Sequence, residues 1–268
     1  MKTTRKRARI LSLLLVIAMM AVLSASCAKK SGELVVGMEL QYPPFETTDE
    51  KGNPTGISVD IAMKLGEFLG RSVRIENTSY SGLIPALQSK KIDIILSSMT
   101  ITDKRKESID FSDPYAQANL ALLIAKDSPV NSAADLTAGR KIAVKKGTTA
   151  HVYSEEHFKE AEVLVFDTEG ACILEVITGK ADVFIYDQMS IYKAWKTNPD
   201  TSRVNLEPFA ANPENWGIGL RKGEDAFRSQ INDFIKKSKE NGFFGSLADK
   251  YLKDMKAVFD ELKIPFFF

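Results

Sequence analysis

Ile92-Asp93-Ile94-Ile95-Leu96-Ser97-Ser98-Met99-Thr100-Ile101-Thr102-Asp103-Lys104-Arg105-Lys106 passes from one kind of backbone to another within fifteen residues. Its first five residues are a short apolar run rich in β-branched side chains, as in strands buried in a parallel sheet. Thr102 is placed to cap a helix, and Asp103 follows in the first turn, where a carboxylate suits the helix dipole. Open α/β sheets bind ligands in the crevice beyond the strand ends. The hydroxyls, amides and single arginine of this turn therefore suit a small zwitterion.

On both sides of this stretch, apolar runs alternate with amphipathic segments, which argues for an α/β sandwich. Strands are expected at Leu34 to Met38, Val73 to Glu76, Leu120 to Ala125, Lys141 to Val144, Val163 to Phe166, Asp182 to Ile185 and Trp216 to Leu220. A helix is expected over Ile57 to Leu69, with Ile61, Leu65, Phe68 and Leu69 on one side. The last third reads as helical, with Phe227, Ile231, Phe234 and Ile235 at helix spacing. The length fits two lobes or one large domain, and no fixed-period repeat is evident.

Lys2, Arg5, Lys6, Arg7 and Arg9 precede an apolar run from Ile10 to Leu23, the layout of a secretory signal too short for a comfortable membrane span. Leu23-Ser24-Ala25-Ser26-Cys27 resembles a bacterial lipobox, with Cys27 as the lipidation site. Acyl chains there would hold the protein at a membrane surface. The chain has 36 Lys plus Arg and 35 Asp plus Glu, and removing 1–26 takes five basic and no acidic side chains. A mildly acidic mature protein lacks the concentrated basic face that nucleic acid requires. Lipidation of Cys27 leaves Cys172 alone, so no internal disulfide is expected, and its apolar neighbours suggest a buried, inert thiol.

Four motifs together point to a family: Tyr42-Pro43-Pro44-Phe45-Glu46, Gly82-Leu83-Ile84-Pro85-Ala86-Leu87, the run from Thr100 to Tyr115, and Gly147-Thr148-Thr149. Over nearly the whole mature chain the sequence resembles the polar amino-acid-binding proteins of ABC transporters, family 3 of the extracellular solute-binding proteins, in lipoprotein form. The resemblance implies a type II periplasmic-binding-protein-like fold, two α/β lobes joined by two crossover strands. On that pattern 1–26 is a signal peptide and 27–32 a tether. Lobe 1 is 33–118 and 213–262, lobe 2 is 119–212, and 263–268 is a tail; the crossings fall near Ala118 and Asn212. Three terminal phenylalanines, Phe266 to Phe268, either pack against a lobe or lie exposed.

An α-amino acid needs a cation with N–H donors for its carboxylate and an anion for its ammonium. Arg105 has the planar fork that binds both carboxylate oxygens. Read alone, a solvated arginine in a basic helical turn beside Lys104 and Lys106 is the favoured reading; the resemblance reverses this by placing the family's ligand arginine there. Gly147-Thr148-Thr149 sits at a strand-to-helix turn whose amides would point outward as an anion site, and similarity to the family's binding turn makes Thr149 a second carboxylate contact. Asp187 ends an apolar strand and is either a helix N-cap or, by the resemblance, the acid that meets the ammonium, helped by Ser98 and Thr100. Tyr42 and Tyr80 match aromatic positions that sandwich the ligand side chain, while Phe45 reads as core.

Glu39, Lys145 and Tyr186 match positions around the ligand side chain in relatives. Glu39 favours arginine or lysine, whereas Lys145 aimed at the same spot favours glutamine; the two charges could also neutralise each other. Ser98 occupies a place often held by glycine in glutamine binders. His151 and His157 are six apart, a spacing that does not share one helical face, so neither metal nor cofactor is expected. The reading is a monomeric binding protein, without catalytic residues, that delivers an amino acid to an ABC permease. Its rival is a periplasmic enzyme on the same scaffold, similar to cyclohexadienyl dehydratase, with Glu39 or Asp187 transferring a proton.

Overall fold

A computed structural model describes residues 32–210 and 213–268. Cys27, the leader and Asn212 lie outside the described residues. The unit running from Leu34 to Phe268 opens with strands β1 (Leu34–Met38), β2 (Thr47–Thr48), β3 (Pro54–Thr55), β4 (Val73–Asn77), β5 (Ile94–Ile95), β6 (Asp110–Phe111) and β7 (Ala116–Ala118). It continues with β8 (Leu120–Ala125), β9 (Lys141–Lys145), β10 (Glu162–Phe166), β11 (Val183–Asp187), β12 (Ser202–Asn205), β13 (Glu214–Trp216) and β14 (Gly219–Leu220).

Two mixed five-stranded sheets result, ordered β4-β1-β5-β14-β6 and β10-β9-β11-β8-β12. The molecule is thus two α/β lobes joined by two crossover strands. β7 leaves the first sheet just before β8 enters the second, and β13 returns just before β14 rejoins the first. The two crossing strands pair antiparallel, Ala116 with Trp216, Gln117 with Asn215 and Ala118 with Glu214.

Burial on both faces explains why the central strands read as continuous apolar runs. In β8, Leu120, Leu122 and Ile124 join one core cluster while Ala121, Leu123 and Ala125 join another. Ile94 and Ile95 likewise face opposite cores of the first lobe. The helix Ile57–Leu69 follows Gly56, whose φ of 122° is open to glycine and whose missing Cβ would lie 2.4 Å from the Phe45 carbonyl oxygen. Its Ile57, Ile61 and Leu65 are buried, but Phe68 is 41% exposed, resting on Phe234 at the helix edge.

Two expected strands are revised. Ile92 to Leu96 is strand only at Ile94 and Ile95, although Asp93 N still donates to Val35 O and Leu96 N to Gly37 O; the Asp93 carboxylate accepts from Val35 N at one end. Trp216 to Leu220 is broken: Trp216 belongs to the crossing pair and Gly219 to the first sheet, with Ile218 N donating to Ser112 Oγ between them.

The helices Asp225–Glu240, Phe243–Tyr251 and Lys253–Leu262 close the first lobe. The terminal segment folds back: Gln117 N on β7 donates to the Phe267 carbonyl oxygen, and the buried Phe267 ring contacts Phe45, Trp216 and Phe259. Cys172 is a free thiol buried in the second lobe, and burial pushes its pKa up to about 12, so it is inert. Among the described residues no helix is long and apolar enough to cross a membrane.

Candidate functional site

Glu39 follows β1, Ser97 and Ser98 follow β5, Lys145 ends β9 and Asp187 ends β11. All four positions are C-terminal ends of parallel-paired strands, and the two lobes bring them face to face. The cavity between them has a volume of about 40 Å³. Its lining includes Glu39, Tyr42, Tyr80, Ser98, Thr100, Thr149, Tyr186 and Asp187 from the sequence-derived set. Arg105 and Lys145 stand behind that lining and hold it in place.

Thr102 caps the short helix Asp103–Lys106 by accepting from Arg105 N, which fixes where Arg105 projects. The guanidinium then donates to Thr100 O at 2.6 Å and Tyr80 Oη at 3.2 Å in the first lobe, and to Gly147 O at 3.0 Å in the second. It also lies over the Tyr80 ring, 5.6 Å from the centroid. Arg105 reaches an adjoining groove of about 400 Å³, which shares Thr100, Thr149, Leu120 and Glu214 with the cavity.

A second link joins the lobes. Lys145 Nζ is bound to Glu39 Oε2, and both side chains are buried. The other Glu39 oxygen accepts from Tyr80 N at 3.2 Å. The ammonium also faces the Tyr80 ring. The conflict between an acid and a base at the side-chain end of the pocket thus resolves as an ion pair.

The Gly147 turn differs from a bare helix N-terminus. Gly147 N donates to His151 Nδ1 at 3.2 Å, and Thr148 N donates to Lys145 O, so the first two amides are taken up within the turn. Thr148 caps the helix Thr149–His157 by accepting from His151 N. His151 Nε2 meets Glu155. Among the described residues no group of three or more His, Cys, Asp or Glu side chains is placed to hold a metal.

Asp187 caps the helix Gln188–Thr197, with Oδ1 accepting from Met189 N and Ser190 N at 3.0 Å each. Its Oδ2 is buried beside the buried Tyr42 hydroxyl, which interacts with the carboxylate. Burial raises the Asp187 pKa, against the pull of the cap amides. The Tyr42 ring stacks on Phe45 at 5.3 Å and meets Tyr186 and Trp216 edge-on.

Among the lining residues that the sequence does not mark as site residues are Trp216, Glu46 and Glu214. Trp216 reads from the sequence only as part of a strand. Glu46, the last residue of a quoted motif, is buried on the cavity floor and accepts from Ser58 Oγ at 2.6 Å, Ser98 Oγ at 3.1 Å and Ser97 Oγ at 3.3 Å. Burial nevertheless lifts its pKa to about 8. Ser98 reaches it from a left-handed backbone, φ 48°. Glu214, on β13, accepts from Thr100 Oγ1 at 3.4 Å; burial raises its pKa, while the Thr149 hydroxyl and Arg105 oppose the rise.

Comparison with known proteins agrees with this architecture. Residues 34–254 match the model of the bacterial extracellular solute-binding proteins, family 3. The L-cystine-binding protein TcyJ of Escherichia coli (strain K12) is 30% identical over 225 residues, covering 83% of this chain and 84% of that protein. An ancestral arginine-binding protein bound to arginine superposes with a TM-score of 0.76 at 33% identity, covering 83% of this chain and 99% of the other. An ancestral amino acid-binding protein described as a precursor of cyclohexadienyl dehydratase superposes with a TM-score of 0.74 at 33% identity, covering 83% and 96%. The chain belongs to the bacterial extracellular solute-binding proteins, family 3.

Proposed function

We propose that this protein captures a polar L-amino acid between its lobes and delivers it to an ABC permease. The observation that carries the reading is that one cleft between the lobes brings together a guanidinium with N–H donors and a buried acid. Thr149 and the Arg105 guanidinium supply donors and positive charge for a carboxylate, and Asp187, with the Ser98 carbonyl and the Thr100 hydroxyl, supplies acceptors for an ammonium. Tyr42, Tyr80, Tyr186 and Ser98 enclose the rest. A ligand that touches both lobes favours the closed arrangement by its differential affinity for it.

The Glu39–Lys145 pair favours a neutral polar side chain of the glutamine type over a basic one, since Lys145 already supplies the cation that Glu39 would seek. On the same reading lobe 1 is 33–118 with 213–262, lobe 2 is 119–212 and 263–268 is a tail. The protein is a monomer, extracytoplasmic and held at the membrane by lipid on Cys27. It is a carrier and not an enzyme: Glu39 is held by Lys145 and Tyr80 N, and Asp187 is taken up by the ligand's ammonium.

Thermal unfolding against the common L-amino acids, L-cystine and small cyclic acids tests this. A ligand at about a hundred times its dissociation constant adds roughly 2.7 kcal/mol, a readable shift. A shift with L-glutamine supports the neutral-side-chain reading, and one with L-arginine or L-lysine replaces it with a basic ligand. No shift with any amino acid, together with turnover of a cyclic acid, would sink the transport reading.

A further inference from the structure

Glu46 and Glu214 are carboxylates of the cavity that the proposed grip on an amino acid leaves without a task; Glu46 is taken up by three serine hydroxyls, whereas Glu214 faces the clamp itself. Glu214 begins the returning crossover strand, in register with Ala118 of the outgoing one. Its Oε2 accepts from Thr100 Oγ1; burial raises its pKa, and the Thr149 hydroxyl from the second lobe and the Arg105 charge oppose that rise. With Thr100 and Thr149 it lines both the inner cavity and the groove that Arg105 reaches.

Two of those partners, Arg105 and Thr149, are the side chains assigned above to the ligand's carboxylate. We propose that Glu214 is a hinge-borne stand-in for that carboxylate, gathering Thr100, Thr149 and Arg105 around an internal anion that an incoming ligand must displace. The inference rests on the amino-acid reading of the same site and adds to it a residue that sets affinity.

The physical reason is charge. Two carboxylates competing for one set of donors in a buried cleft repel each other, and the same donors cannot serve both at full strength. Asp187 adds to the repulsion on Glu214. Ligand affinity is therefore held below what the clamp alone would give, and release is made easier.

A Glu214→Gln variant keeps the size and removes the charge; Glu214→Ala removes the group outright. The full chain in mild detergent would be titrated calorimetrically with L-glutamine, L-arginine, L-cystine and any further amino acid that shifts the wild-type melt. The α-amide of the best ligand, which lacks the carboxylate, serves as control. Both variants are expected to bind the amino acid at least about tenfold more tightly than wild type, with no gain for the α-amide. Unchanged or weaker binding in both variants, with wild type still binding, overturns the stand-in and leaves the amino-acid reading intact; weaker binding would make Glu214 an ammonium acceptor. A gain equal for amino acid and α-amide also overturns it. Wild type binding no amino acid overturns both readings.

Discussion

Lys145, the last residue of β9, and Glu39, the residue after β1, form an ion pair that joins the two lobes with both side chains buried. Taking either partner away strands the other charge in a low-dielectric site. Lys145→Met or Glu39→Gln alone is expected to lower stability by about 3–5 kcal/mol, and the double variant to recover much of that loss. Urea unfolding of the three variants checks it; single variants as stable as wild type would refute the pair's strength. Lys145→Met should also melt at a higher temperature with L-arginine present, because the ligand can replace the missing cation at Glu39.

Arg105 donates to Thr100 O, Tyr80 Oη and Gly147 O, three acceptors that a single ammonium cannot reach together. Arg105→Lys is therefore expected to behave like Arg105→Ala, each weakening ligand binding by at least about a hundredfold, as for the loss of two charge-assisted contacts. Calorimetry on both is the measurement. A lysine variant with near wild-type affinity would contradict the role given to the guanidinium.

The raised pKa of Glu46 ties stability to pH. Its folded value of about 8 lies above the ordinary 4.5 because burial disfavours the charged form. Between those values Glu46 is protonated in the folded chain and ionised in the unfolded one, so its own contribution to stability is full below about pH 4.5 and is lost as pH rises through about 8. Glu169, pushed up to about 7, acts in the same direction. Glu46→Gln should flatten part of the decline between pH 5 and pH 8.5 by urea unfolding, and an unaltered slope would disprove the assignment.

Gly56 is expected to be intolerant of any side chain. A Cβ there would lie 2.4 Å from Phe45 O and 2.6 Å from Pro44 O, both backbone atoms, at a φ that L-residues avoid. Gly56→Ala should cost about 3 kcal/mol, visible as a lowered melting temperature. Gly170→Ala, where nothing lies within 4 Å, is the matched control.

The alternation of strands and helices was legible because the central strands are buried on both faces and so carry unbroken apolar runs, as β8 does. Where the run crosses from the hinge to a sheet, as at Trp216 to Leu220, composition is constant while hydrogen-bond partners change, and the break could not be read. The charges of Glu39 and Lys145 were legible as a conflict; only folding shows that they oppose each other from separate lobes, 106 positions apart. Glu46 and Glu214 gave no signal of their own. Their roles come from hydroxyls supplied by Ser58, Ser97, Ser98, Thr100 and Thr149, which stand far from them in sequence.

The antiparallel pairing of β7 with β13 ties the outgoing and returning connections to each other before either reaches its sheet. Two separate tethers would let one lobe slide, tilt or twist against the other along independent paths. Two tethers laced into a single ribbon must flex as one, so the movement has in effect one axis. A partner that senses only the spacing of the lobe tips would thus receive a single yes-or-no reading of occupancy, whichever solute produced it.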